Sequence, residues 1–214
     1  QLLPGSAGQV DEFFVFQRPT NLIGETNNDK VSEEDMAWLR ENYALVYEKA
    51  ANHPFGVAME PAEHSALEVS EDERRRIFES KWNEGGFHFA NECFNDLATN
   101  HEASELASEF IRSKIRKIVK DPATADLLSP KTYSFNGKRV PTGFRYYDTF
   151  NLPHVHLIDT ASTPITEFTE RGLRVGETEY ELDVIIAATG FDAMTGTLTG
   201  IDIVGRDGVV LRDK

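Results

Sequence analysis

Three short stretches hold the side chains with the most chemistry to offer. Arg18 follows Phe13-Phe14-Val15-Phe16-Gln17, an aromatic and β-branched run that reads as a buried strand stopped by Pro19. The carboxyl end of such a strand is where doubly wound folds place their nucleotide site. An acid there suits NAD; an arginine, with planar paired donors, suits the 2′-phosphate of NADP. Taken alone, Arg18 reads more readily as a solvated arginine at a strand end. Lys138-Arg139 comes next, directly after Gly137 in Phe135-Asn136-Gly137. Two adjacent cations in a loop can point apart, one to a phosphate and one to a second anion; the plainer reading is an exposed basic turn. The third stretch is Ala188-Thr189-Gly190-Phe191-Asp192. A strand ending in Thr-Gly lets a ligand approach the backbone closely, because glycine has no side chain to clash, although many strands end in glycine merely to turn.

The elements around these residues change character along the chain. Gly5-Ser6-Ala7-Gly8 lacks the G-x-G-x-x-G arrangement, so no phosphate loop precedes Phe13. From Ser32 the apolar period becomes helical: Ser32 with Asp35 resembles a capping box, and Met36, Leu39, Tyr43, Val46, Tyr47 and Ala50 share one face. Ser70 with Glu73 repeats the cap ahead of Ile77, Phe78 and Trp82, and Gly85-Gly86 ends that helix. Phe87, Ala90, Phe94 and Leu97 mark a third helix. A fourth runs from Leu106 through Ile111 and Ile118 to Asp121-Pro122. After Pro130 the pattern turns to strands. Val155–Asp159 is one, and 165–168, 172–175 and 179–181 form a small antiparallel meander. Asp183-Val184-Ile185-Ile186-Ala187-Ala188-Thr189-Gly190 does not alternate and predicts a strand buried on both faces of a parallel sheet.

Composition narrows the function classes. A formal charge of −14 opposes nonspecific binding to nucleic acid or anionic membranes, while leaving room for a local basic pocket. The apolar runs fall short of the roughly 18 residues of a membrane span. One cysteine, Cys93, excludes an internal disulfide and points to a reducing, cytoplasmic setting. The six histidines show no metal-ligand spacing, so no metal is expected. A chain that opens on Gln1 and stops at Arg212-Asp213-Lys214 reads as an internal piece of a longer protein.

Together the three stretches resemble the Baeyer–Villiger monooxygenases, in particular the branch of the cyclohexanone and phenylacetone enzymes. The order Val15-Phe16-Gln17-Arg18, then Lys138-Arg139 followed by Tyr146-Tyr147-Asp148-Thr149-Phe150-Asn151, then Ala187 to Ala193 with Thr195-Gly196, is the family's order. Phe94-Asn95-Asp96, Lys114-Ile115 and Val119-Lys120-Asp121-Pro122 extend the resemblance across the helical block.

The resemblance implies an α/β fold: a partial NADP-binding Rossmann-like domain with a helical insertion and a small β-meander, the FAD domain being largely missing. Residues 1–31 would end the first half of the NADP domain, 32–128 would be the insertion, 129–190 the second half with its meander, and 191–214 the return towards the FAD domain. It also implies chemistry. The family uses NADPH to reduce FAD, and O2 then supplies an oxygen atom inserted beside a ketone carbonyl to give an ester or lactone. Arg18 would contact the 2′-phosphate and Lys138 would be its second partner. Arg139 would be the catalytic arginine, its permanent charge stabilising negative charge that develops beside flavin and substrate. Thr189, Gly190 and Asp192 would mark the return crossing at the cofactor. Where the family places a small hydroxyl residue after the first arginine, Pro19 stands here, and Thr20 is the substitute. Neither glycine-rich dinucleotide loop is in the chain, so the isolated polypeptide is expected to bind FAD and NADPH weakly and to be inactive, and its strand edges either pair across a dimer or aggregate. Two rival readings are another two-domain flavin monooxygenase, N-hydroxylating or flavin-containing in type, and a non-catalytic helical module docking a partner through Trp38, Tyr43, Phe78 and Trp82.

Overall fold

The computed structural model describes residues 2–18, 20–27, 30–53, 55–190 and 195–213. Two units make up the chain, Gln1–Pro164 and Ile165–Lys214. The first runs α1 (Leu2–Ser6), β1 (Phe13–Gln17), β2 (Gly24–Glu25), α2 (Glu33–Glu41), α3 (Tyr43–Asn52), α4 (Glu71–Glu84), α5 (His88–Glu92), α6 (His101–Ile118), α7 (Pro122–Leu127), β3 (Thr142–Gly143), α8 (Tyr146–Thr149) and β4 (Val155–Asp159). The second runs β5 (Ile165–Thr169), β6 (Gly172–Val175), β7 (Thr178–Glu181) and α9 (Thr195–Thr199).

In the first unit β1 pairs in parallel with β4, Phe13 opposite Val155 and Gln17 opposite Asp159. Parallel pairing needs a long crossover, and the helical block is inside it. The expectation of a buried β1 needs correcting: all five residues are half-buried. A sheet of two strands cannot cover both faces and both edges of a strand. A second parallel pair, β2 with β3, joins Gly24 to Thr142 and Glu25 to Gly143.

The helical block follows its caps. Ser32 Oγ accepts from Asp35 N–H at 3.0 Å while the Asp35 carboxylate accepts from Ser32 N–H at 3.3 Å, a reciprocal capping box. The single helix expected beyond it is two, because Asn42 Nδ2 donates to the Trp38 carbonyl at 2.9 Å and its backbone leaves helical geometry. Neither α2 nor α3 buries a residue, and Trp38 and Tyr43 are exposed. By contrast Phe78 and Trp82 of α4 are core residues. Phe78 stacks on Phe89 and meets Phe94 edge-on, both at 5.2 Å. Helix α6 turns Ala103, Ser104, Ala107, Ser108, Ile111 and Ile115 inward, the stripe of an amphipathic helix. Burial of Ile111 and Ile115 contributes about 1.5–3 kcal/mol each.

In the second unit β5, β6 and β7 form the expected antiparallel meander. Gly172 is obligatory there, since a Cβ would fall 1.9 Å from the Tyr180 carbonyl oxygen. The expected buried strand over 183–190 is not formed. That segment is irregular, and Val184 is 75% and Ile186 58% exposed. A non-alternating apolar run becomes a strand only between ladder partners, and the three-stranded meander does not include it.

Candidate functional site

The turn that presents Lys138 and Arg139 is built on α6. Small side chains on the inward stripe of α6 let the backbone of residues 133–137 come close. Ser108 Oγ accepts from Phe135 N–H at 2.6 Å and donates to the Ser104 carbonyl at 2.8 Å. Ser104 Oγ donates to the Phe135 carbonyl, so both polar groups of one buried peptide residue are satisfied by serines. The Phe135 ring meets Phe89 edge-on at 5.3 Å, and Ser134 Oγ donates to Glu105 at 2.8 Å. The chain then reverses: Gly137 N–H donates to the Ser134 carbonyl at 2.9 Å, and Asn136 takes φ +63°. A side chain on Gly137 would meet the Ser134 oxygen at 2.9 Å. Asn-Gly is the dipeptide such a turn demands. Lys138 and Arg139 leave it exposed.

The segment that follows β1 lies against this turn. Thr20 Oγ1 donates to the Leu128 carbonyl at 3.3 Å, and its own carbonyl accepts from Tyr133 OH at 2.8 Å. Tyr133 OH is also 2.8 Å from Asn21 Oδ1. Asn21 Nδ2 donates to the Arg139 carbonyl at 3.1 Å. The Lys138 ammonium lies 4.5 Å above the Tyr133 ring, a cation–π arrangement. Two more tyrosines close the junction: Tyr147 OH accepts from Ile23 N–H at 3.0 Å, and Tyr146 OH donates to Gln17 Oε1 at 3.4 Å. Burial pushes the Tyr146 phenol up to about 12, and that of the fully buried Tyr147 higher still, so both stay neutral donors or acceptors.

The predicted residues therefore divide. Thr20, Lys138 and Arg139 meet at one junction through Tyr133 and Asn21. Arg18 is exposed at the end of β1, two residues before Thr20. Arg18, Lys138 and Arg139 form no ion pair among the described residues. Thr189 and Gly190 lie in exposed backbone of the second unit, Gly190 with φ +89°. Asp192 and Pro19 are outside the described residues.

Sequence reasoning missed Asn21 and Tyr133, which carry no signal of their own in a polar loop. It also missed Arg145, a non-glycine residue at φ +53° whose N–H is held by Glu25 Oε1 at 3.1 Å. One further cluster went unseen: Glu84, His88 and Glu92 bring ligand-type atoms within 4.8 Å of one another. The Lys81 ammonium lies 2.8 Å from both carboxylates and offsets one of their two charges. Cys93 is buried, and burial pushes its thiol well above the usual range.

No family model matches the chain. The 2-oxo-Δ3-4,5,5-trimethylcyclopentenylacetyl-CoA monooxygenase of Pseudomonas putida is 40% identical over 215 residues, 100% of this chain and 39% of that protein. A Baeyer–Villiger monooxygenase of Pseudooceanicola batsensis is 37% identical, with 100% of the chain and 39% of the relative covered. A crystal structure of OTEMO in complex with FAD and NADP matches with TM-score 0.93 and 39% identity, over 99% of this chain and 39% of that one.

The chain belongs to the Baeyer–Villiger monooxygenase family. It spans about two-fifths of the length of these relatives. Its mixed α/β architecture matches part of a Baeyer–Villiger monooxygenase fold, as the order of motifs from Arg18 to Gly190 implied. Among the described residues no helix is long and apolar enough to cross a membrane.

Proposed function

We propose that this chain supplies the NADPH-side part of an FAD-dependent monooxygenase that inserts one atom of O2 beside a ketone carbonyl. The observation that carries the reading is the 3.1 Å hydrogen bond from Asn21 to the Arg139 carbonyl, which ties the segment after Arg18 to the Lys138-Arg139 turn. In this reading Arg18 and Lys138 grip the 2′-phosphate, the guanidinium by paired donors and the ammonium as a point charge. The fit is supported by their exposure and by the lack of a competing carboxylate among the described residues. The Thr20 hydroxyl donates to Leu128, so a phosphate would compete for that proton and gain less from Thr20 than from the two cations. The Arg139 guanidinium holds positive charge where negative charge develops on substrate oxygen. Flavin supplies the oxygen chemistry when bound. Thr189, Gly190 and Asp192 belong, in this reading, to the crossing towards the flavin.

The same proposal assigns 32–128 to an insertion within an NADP-binding domain made of 1–31 and 129–190, with 191–214 leading away from it. Cys93, buried and unpaired, is compatible with a reducing cytoplasmic setting. Because no glycine-rich loop is in this sequence, the 214-residue chain by itself should purify colourless, and stoichiometric flavin on it would contradict the reading. A dimer through the open strands is the expected alternative to aggregation, and sedimentation decides between them.

The deciding experiment is Arg139→Ala in a full-length, flavin-loaded protein that contains this chain. Flavin reduction by NADPH should persist while ketone oxygenation is lost. Undiminished oxygenation would remove Arg139 from the site, and turnover of amines or thioethers but of no ketone would favour an N-hydroxylating or flavin-containing relative instead.

A further inference from the structure

We infer that Tyr133 is a positioning residue that sets the Lys138 ammonium and the Arg18 strand end relative to each other, and so sets the preference for a 2′-phosphorylated dinucleotide. The inference rests on the reading above. Three contacts of one half-buried side chain motivate it. The ring face carries Lys138 Nζ at 4.5 Å. The hydroxyl, with one proton and two acceptors in reach, sits 2.8 Å from both the Thr20 carbonyl and Asn21 Oδ1. Asn21 passes the connection on, its Nδ2 donating to the Arg139 carbonyl.

The carboxamide stands with its nitrogen towards the Arg139 carbonyl and its oxygen towards the Tyr133 hydroxyl. Turned over, Asn21 would aim its oxygen at the Arg139 carbonyl oxygen, two acceptors facing each other with no proton between them. As it stands, Asn21 Nδ2 donates to that carbonyl, while the single Tyr133 proton is shared between the Thr20 carbonyl and Asn21 Oδ1. The Lys138 stem is long and carries no ion pair among the described residues, so the aromatic face is what narrows its rotamers. Thr20 lies two positions after Arg18, and pinning its carbonyl restricts the backbone that carries the guanidinium. One tyrosine thus acts on both cations, through its π face on one and its hydroxyl on the other. Phenylalanine retains the first function and loses the second; leucine loses both.

The test uses the flavin-loaded, full-length protein containing this chain, and titrates it with NADP+ and separately with NAD+. Tyr133→Leu should lower the NADP+ over NAD+ affinity ratio about tenfold, chiefly by weakening NADP+. Tyr133→Phe should lower it by a smaller factor, and Asn21→Ala should resemble Tyr133→Phe. A merely loosened fold would weaken both dinucleotides alike, so equal losses overturn the inference. An unchanged ratio in Tyr133→Leu, with collapse of the ratio in Lys138→Ala, overturns the role of Tyr133 and leaves the proposed function standing. If Lys138→Ala also leaves the ratio unchanged, the phosphate-binding reading falls with it.

Discussion

Ser108 on α6 accepts the N–H of Phe135 at 2.6 Å, 27 residues further along the chain, in surroundings where both residues are buried. The turn bearing Lys138 and Arg139 is therefore anchored by a core hydrogen bond as well as by contacts nearer the surface. Ser108→Ala removes the acceptor and leaves that N–H buried without water, at a cost of about 1–3 kcal/mol. Ser104→Ala strips the Phe135 carbonyl instead, and carbonyls tolerate under-satisfaction better than N–H groups. Urea unfolding should rank Ser108→Ala below Ser104→Ala in midpoint. A Ser108→Ala chain within experimental error of the parent would show that α6 does not hold the turn in this way.

The same turn has a pH-dependent brace. Glu105 accepts from Arg112 Nη1 at 2.6 Å and from Ser134 Oγ at 2.8 Å. The Arg112 hydrogen bond, opposed by partial burial and helped by Ser134, holds its carboxyl below the ordinary 4.5. A carboxylate whose folded value is depressed stabilises the fold above its unfolded value, and that contribution disappears as pH falls through the folded one. Glu105 is 44% exposed, so solvent screening limits the gain to under about 1 kcal/mol. At pH 7 Glu105→Gln should unfold at slightly lower urea than the parent, and the two midpoints should merge as the pH drops below 4.5. A gap that persists in acid would mean that the glutamine is worse for a reason other than charge.

What could be read from residues alone was whatever depends on local rules. Ser32 with Asp35 announces a helix start because both partners of the capping box lie within one turn, and the structure forms it. The β5–β6–β7 meander is equally local, its strands reversing over Glu170-Arg171 and Gly176-Glu177. The run from Asp183 to Ala188 obeys a different logic: its pattern states what neighbours it needs, not whether they are in the chain. Sheet formation there depends on long-range partners, and the segment stays irregular. At the candidate site Arg18, Lys138 and Arg139 were visible by position, one at a strand end and two directly after Gly137, and by the order of motifs they share with the family. The parts that hold them were not. Tyr133 and Asn21 act across more than a hundred residues of sequence, and nothing in their spacing reveals a partner.

Gly85 offers a separate test of how the helical block docks on the site-forming strands. Helix α4 ends there at φ +76° and ψ −167°, backbone that only glycine adopts without strain. A side chain would meet the Thr26 carbonyl carbon at 2.9 Å and Asn27 Cβ at 3.0 Å. Gly86, next in line, donates its N–H to the Glu25 carbonyl at 2.7 Å, so the helix end is sewn to β2. Gly85→Ala should cost about 1–3 kcal/mol in strain and push the chain after β2 away from the helix. The push falls on Thr26 N–H, which donates to the Gly143 carbonyl at 3.2 Å, and on Gly24 N–H, which donates to Pro141 at 3.0 Å. Both amides should exchange with deuterium faster in Gly85→Ala, while those in the middle of α6 keep the rate set by global stability. Gly86→Ala is the control: its φ is +60° but a Cβ meets nothing within 4 Å, so it should lose about 1 kcal/mol and leave the β2–β3 amides in line with the rest. Selective loss of protection in Gly86→Ala, or its absence in Gly85→Ala, would mean that α4 does not position β2.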